Sequence, residues 1–126
     1  MKSFLLALTF SIALVSASFL FTNKMDSIAQ VLSEKTYAVY TSLQEDDIDG
    51  AKRRLEKAID EFKKKQVLLE ATGNHEELMR IELAYAQAKE FINKGQIGDA
   101  MASLREIDIL IEHIPGNFEI KPENIL

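Results

Sequence analysis

At 126 residues, with 47% hydrophobic positions, two prolines and five glycines, the chain has the composition of one small globular unit, and its supply of Ala, Leu, Ile, Glu and Lys favours an all-α fold. A formal charge of -5 argues against the clustered cations with which nucleic-acid binders neutralise phosphate, so no nucleic-acid partner is expected. The absence of cysteine removes disulfides, thiolate metal sites, cysteine nucleophiles and lipid attachment through a thiol.

Residues 4–21, FLLALTFSIALVSASFLF, run 18 positions without a charge. As a helix rising about 1.5 Å per residue the run is roughly 27 Å long, close to the thickness of a hydrocarbon core. Lys2 and the terminal amine precede it, whereas Lys24 is soon offset by Asp26. The positive-inside bias therefore places the start in the cytoplasm and all that follows outside. Val15-Ser16-Ala17 is a passable signal-peptidase site, and cleavage there would expose Ser18 and leave a secreted product. Phe19, Leu20 and Phe21 carry the apolar run past that point, where a cleavage region normally turns polar. Residues 1–24 thus read as a membrane anchor, with a cleaved signal segment as the alternative.

Beyond it, apolar positions recur in steps of three and four, the period of amphipathic helices. Met25, Ile28, Leu32, Thr36, Val39 and Leu43 form a stripe, polar only at Thr36, that continues the anchor's helix. Ile48, Ala51, Leu55, Ala58 and Phe62 form a second stripe that reappears at Leu69. Leu78, Ile81, Tyr85, Ala88 and Ile92 form a third; Ile97, Ala100, Leu104, Ile107, Ile111 and Ile114 form a fourth. The breaks between stripes carry helix-end chemistry. Asp46 is expected to cap the second helix with Asp49 in its first turn, and Gly73 to end that helix in the left-handed conformation. Asn74 with Glu77 reads as a capping box for the third helix, which Gly95 would end, and Pro115-Gly116 would end the fourth. Connections this short make neighbouring helices antiparallel.

The chain also echoes itself at an offset of 49 residues. DDIDGAKRRLEKAIDEF (46–62) laid over GQIGDAMASLREIDILI (95–111) pairs Ile48 with Ile97, Ala51 with Ala100, Leu55 with Leu104 and Phe62 with Ile111. Upstream, Leu32 meets Ile81, Val39 meets Ala88 and Leu43 meets Ile92. Two arrangements fit residues 25–114: an antiparallel four-helix bundle, or two hairpins stacked in the manner of tetratricopeptide repeats.

Residues 115–126 complete the chain as a short non-helical tail. Phe118 and Ile120 alternate with Glu119 and Lys121, and Ile125 and Leu126 follow a turn at Pro122. That alternation suits an extended segment with one side on an apolar surface, so Phe118, Ile120, Ile125 and Leu126 are expected to dock the tail over a groove between helices. A frayed end is the alternative.

An apolar leader, four charged amphipathic helices and the ending HIPGNFEIKPENIL together resemble the bacterial domain of unknown function 4363 family. The likeness spans the chain and is most specific at His113-Ile114-Pro115 and Asn124-Ile125-Leu126. Many members carry a tryptophan near the start of the second helix, and this chain has none. The resemblance implies a single-pass bacterial membrane protein with a helical extracytoplasmic domain and a multi-pass membrane protein as partner, and it supplies no catalytic residue.

Motifs for chemistry are sparse. EDDIDGAKRRLE (45–56) approaches a calcium-binding loop, with Glu45, Asp47, Asp49, Gly50 and Glu56 at liganding or turning positions. It begins with Glu where Asp is wanted, has Lys52 where an apolar residue belongs, and carries the helix stripe straight through. His75-Glu76-Glu77-Leu78-Met79 opens like a zinc-hydrolase helix without its second histidine, and His113 is the one other histidine. No nucleophile elbow, phosphate loop or dinucleotide fingerprint occurs, so no enzyme activity, cofactor or metal site is expected.

Lys52, Arg53, Arg54, Lys57, Lys63, Lys64 and Lys65 outnumber the acids among residues 52–65, while Asp99, Glu106, Asp108, Glu112, Glu119 and Glu123 make the last part acidic. This suggests a basic end, a surface for anionic headgroups or wall polymers, and an acidic end. The plainer reading is that the charges solvate helix exteriors and pair along them. Tyr37, Tyr40, Tyr85, Met79 and Met101 read as core or groove lining. The functional expectation is a non-enzymatic interaction module anchored through residues 4–21. A secreted bundle binding a small ligand or ion is the alternative, and self-association through exposed apolar residues fits either.

Overall fold

The computed structural model describes residues 1–72 and 74–116, with residues 115 and 116 as backbone only. Four helices follow in order: α1 (Lys2–Gln44), α2 (Ile48–Glu70), α3 (His75–Asn93) and α4 (Ile97–Gly116). Among the described residues there is no strand. Gly73 and the expected docking residues Phe118, Ile120, Ile125 and Leu126 lie outside them.

Each apolar stripe becomes the inner face of its helix. Met25, Leu32, Val39, Ala51, Phe62, Leu69, Ile81, Ala88, Ala100, Leu104, Ile107 and Ile111 are all buried in one core. The second and fourth stripes begin half-buried, at Ile48 and Ile97. α1 packs against α2 and α4, α3 packs against α4, and a lighter seam joins α2 to α3. The turns join antiparallel neighbours, so the helices close a ring with α1 opposite α3 and α2 opposite α4. Of the two arrangements expected, this pairing is that of a four-helix bundle.

α1 runs 43 residues without a break, about 64 Å at 1.5 Å per residue. Residues 2–20 are exposed along every face, and the bundle begins at the half-buried Phe21. This helix is long and apolar enough to cross a membrane, and none of its apolar window is buried. The same run has the make-up of a signal sequence.

The one polar member of the stripes sits at the centre. Thr36 Oγ1 bonds to the Leu32 carbonyl at 2.8 Å and shares a 2.8 Å hydrogen bond with the Tyr85 hydroxyl, which reaches it from the opposite helix. The Tyr85 ring packs on Phe62, with centroids 5.7 Å apart. Thr36 and Tyr85 are 49 residues apart, the offset of the internal echo, so corresponding positions of the two hairpins meet where the hairpins face each other.

The turns carry the same echo. At the end of α1, Asp46 N–H donates to Leu43 O and Asp47 N–H to Ser42 O. At the end of α3, Gly95 N–H donates to Ile92 O and Gln96 N–H to Phe91 O. Both are Schellman closures, and each partner of one is 49 residues from its counterpart. The central residue takes positive φ in both, 75° at Gly95, which ends α3 as expected, and 60° at Asp46.

That geometry corrects two caps. Asp46 closes α1 and does not start α2. The N-cap of α2 is Asp47, whose Oδ1 accepts the Gly50 N–H at 3.0 Å and whose Oδ2 lies 3.5 Å from Arg54. A Cβ at Gly50 would overlap the Asp47 carboxylate, so glycine here lets the cap close. With residues 48–56 helical, the stretch resembling a calcium loop is a capped helix start. Asn74 precedes α3 without a side-chain capping bond, and Glu77 Oε2 has no partner, so the expected capping box does not form. Finally, α4 runs through Pro115 to Gly116, two residues beyond the expected boundary, because proline's φ of about -65° is itself helical.

Burial pushes the Tyr85 phenol up to about 12; the Thr36 bond works against that rise and the charge of Asp108 adds to it. Folding therefore favours the neutral phenol. Its contribution is intact below the ordinary value of about 10 and is lost as pH climbs through 12. In an absorbance titration one tyrosine should ionise near pH 12, a phase that Tyr85→Phe removes together with part of the stability lost over that range. Thermal unfolding in detergent should show Asp47→Ala destabilised by about 1 kcal/mol, whereas Asp46→Gly, which relieves a left-handed residue, should be unchanged or up to about 1 kcal/mol more stable.

Candidate functional site

The two seams that close the ring occupy corresponding places in the two halves, yet they are built from different chemistry. Along the α1–α4 seam runs an open groove of about 430 Å³ lined by Thr36, Tyr37, Tyr40, Leu104, Arg105, Asp108, Ile109 and Glu112. Along the α2–α3 seam lies a smaller hollow of about 110 Å³ lined by Lys52, Leu55, Glu56, Lys89, Ile92 and Asn93. Subtracting 49 from Leu104 and Arg105 gives Leu55 and Glu56, and adding 49 to Tyr40 gives Lys89. Where α2 and α3 are clasped by the 2.7 Å Lys89–Glu56 ion pair, α1 and α4 present Tyr40 beside Arg105. Tyr37 and Ile109 answer to Ala86 and Asp60 in the other half.

Helix phase explains the groove. At about 100° per residue, Tyr37 and Tyr40 fall beside the α1 core stripe on the flank that turns toward α4. The two rings stack, with centroids 6.3 Å apart and planes 17° from parallel. Tyr37 is 65% exposed and Ile109 55%, while Thr36 and Leu104 form the buried floor. Ser33 donates a 2.6 Å hydrogen bond to Asp108, which pins α1 to α4 at one end of the groove. Arg105 and Glu112 are exposed on its rim. The result is an apolar, aromatic trough with charged edges, suited to a side chain or peptide segment that buries one face.

The seven cations on α2 do not gather in one patch. By helix phase Arg53, Lys57 and Lys64 point outward, with Asp60 among them. Lys52 and Lys63 turn to the flank facing α3, and Lys52 lines the α2–α3 hollow. Arg54 and Lys65 turn to the flank facing α1; Arg54 donates to Ser42 and pairs with Asp47. Lys52 stands near the end of the bundle remote from the apolar segment, and Lys65 about 20 Å closer to it. The expected split into a basic and an acidic end takes another form: α2 and α4 run in the same direction at opposite corners, so charge divides by corner. The sign change along the sequence is real, but the fold sets the two stretches at diagonal corners of the bundle instead of at its two ends.

Tyr85 is core and Met101 is half-buried against it, whereas Met79 is 69% exposed on α3 near Leu83, itself 59% exposed. Arg105 and Ile109 carried a signal in the sequence that stripe counting passes over. Ile109 falls out of phase with its helix's apolar stripe, as does Tyr37 on α1, and an apolar residue out of phase is either surface or a second interface. Among the described residues no cluster of His, Asp or Glu could hold a metal ion.

No curated protein and no solved structure matches the chain. A sequence family described as a domain of unknown function, DUF4363, matches residues 19–125, which take in the whole bundle. The match covers well over half of the sequence, so the chain belongs to the DUF4363 family.

Proposed function

We propose that this is a single-pass membrane protein that presents a non-enzymatic helical bundle outside the cytoplasm to bind a protein segment in its α1–α4 groove. The observation that carries this reading is the continuity of α1. One helix holds a run of 18 uncharged positions, exposed on every face through residue 20, and then the core stripe from Met25 onward, with no glycine or proline between. A run so apolar, outside its own bundle, is stabilised by lipid.

The rigid connection sets a height. From Phe21, where the bundle starts, to Tyr37 the helix rises about 24 Å. A partner that fills the groove must project that far beyond the bilayer, which suits an extracytoplasmic segment of a neighbouring multi-pass membrane protein better than a short loop. The asymmetry between the two seams supports the same reading: one is clasped by an ion pair, the other is left open, aromatic and uncapped. If the leader were cleaved after Ala17, the groove would serve a secreted bundle instead, and its volume would also admit a small ligand.

Sequencing the mature N-terminus separates the two, with Met1 retained expected and Ser18 exposed favouring secretion. The chain should resist carbonate extraction from membranes. Lysines at Leu6 and Leu14 together, each costing about 2.5–3.5 kcal/mol at mid-bilayer, should release it. A photo-crosslinking residue in place of Tyr37 should then capture a second protein in intact membranes, and the same residue at the outward-facing Arg53 should not; equal capture at both positions would defeat the groove reading.

A further inference from the structure

The charges along the α1–α4 groove are sorted, and their order selects what can fill it. We propose that the segment seated there is basic, with a lysine or arginine over the open face of Tyr37 between Asp108 and Glu112 and an apolar neighbour against Ile109; this rests on the reading of the groove as a seat for a protein segment and names the chemistry of that segment.

The seat is set by helix level and side-chain direction. The Ser33–Asp108 hydrogen bond puts position 108 of α4 level with position 33 of α1. Glu112 lies one turn, about 6 Å, nearer the apolar stem. Long side chains on a helix lean back toward its N-terminus. In this antiparallel pair the Tyr37 ring therefore leans down the groove while the Asp108 and Glu112 carboxylates lean up it, toward one stretch of the trough. Tyr40 stacks on one side of Tyr37, and 65% exposure leaves the other side open. A cation within about 6 Å of such a ring centroid is attracted to its face.

Among the described residues, the bundle supplies no cation for this stretch. Asp108 and Glu112 stand at i and i+4 on α4, a spacing at which like charges repel. Around α1, Asp26 and Gln30 fall within about 20° of Tyr37, on the flank that faces α4. Lys24 and Lys35 fall within about 20° of Ser42, which accepts from Arg54 on the α2 side. The other inter-helix carboxylates are met from across their seams, Glu106 by Arg80 and Glu56 by Lys89. Arg105 is the one cation lining the groove; it makes no ion pair with a described residue and stands at the upper end, about 10 Å along the helix from Glu112. The groove is thus acidic over its lower length. A lysine or arginine from outside relieves the repulsion between the two carboxylates, and its aliphatic stem can lie along the apolar wall.

A photo-crosslinking residue at the exposed Ile109 leaves both tyrosines in place. In intact membranes the segment it captures should carry a lysine or arginine within about three residues of the crosslink, some 10 Å of extended chain; a captured segment without one overturns the proposal. Asp108→Asn together with Glu112→Gln, in which the asparagine still accepts from Ser33, should lower capture roughly fivefold at limiting partner, and Arg105→Gln should not lower it. Glu112→Gln alone, on an exposed side chain, should lower it about twofold without disturbing the core. Tyr37→Leu should reduce capture and Tyr37→Phe should keep it, because the ring face and not the hydroxyl attracts the cation. Capture indifferent to both carboxylates, or lost with Arg105→Gln in their place, overturns the proposal and leaves the partner reading standing. Absence of capture at both position 37 and position 109 defeats that reading, and this one with it.

Discussion

A single helix changes character along its length, from apolar on every face to apolar on one stripe, and the rest of the molecule is arranged around that change. From Ser3 to Thr22 every side chain of α1 is apolar or hydroxylic, and Thr9, Ser11 and Thr22 return their hydroxyls to carbonyls four residues earlier. In hydrocarbon this is how a small polar side chain avoids going unpaired. From Met25 onward only one stripe is apolar, and the other faces meet water or neighbouring helices. Because the two regimes share one unbroken rod, the position of Met25 fixes where the core starts, and α2, α3 and α4 take their levels from it.

Around that rod the bundle is built twice. The hairpins α1–α2 and α3–α4 share the same turn closure, residue for residue at an offset of 49, and their corresponding positions Thr36 and Tyr85 meet in the middle. Exact symmetry would give two identical seams. Instead the halves differ along the edges where they join: Glu56 and Lys89 clasp one, while Arg105 and Tyr40 line the open groove of the other. The buried positions are restrained by packing, since a change of volume in a dense core is felt at once. The seam flanks escape that restraint, and it is there that the two halves present different surfaces.

Much of this was legible in the sequence, and the reasons are physical. Met25 to Leu43, Leu78 to Ile92 and the other stripes were readable because burial imposes a period of 3.6 on any helix with one wet side. The end of α3 at Gly95 was readable because glycine closes a helix in a conformation that other residues adopt only at a cost. Asp46 was misread because its neighbour Asp47 has the same side chain; only the backbone decides which of two adjacent aspartates turns left-handed and which caps. Asn74 and Glu77 have the spacing of a capping box, but spacing does not supply the side-chain geometry. The choice between a closed bundle and stacked hairpins depends on whether α1 lies next to α4 or α3, a long-range fact that periodicity does not carry. The groove escaped because its walls, Tyr37 and Ile109, lie 72 positions apart in the chain and out of phase with the stripes that draw attention.

The bundle does not sit squarely on its stem. The core lies to one side of α1, and at about 100° per residue the face that looks into it continues downward through Ser18, Leu14, Ser11 and Ala7. Three helices therefore overhang that face of the stem, while the opposite face has no helix above it. If the stem spans a bilayer, a neighbouring helix approaching along Ala7 and Ser11 would come to rest beneath an eave, and one approaching from behind would find clear headroom. The azimuth of the stem would then decide which neighbours share a roof with this protein.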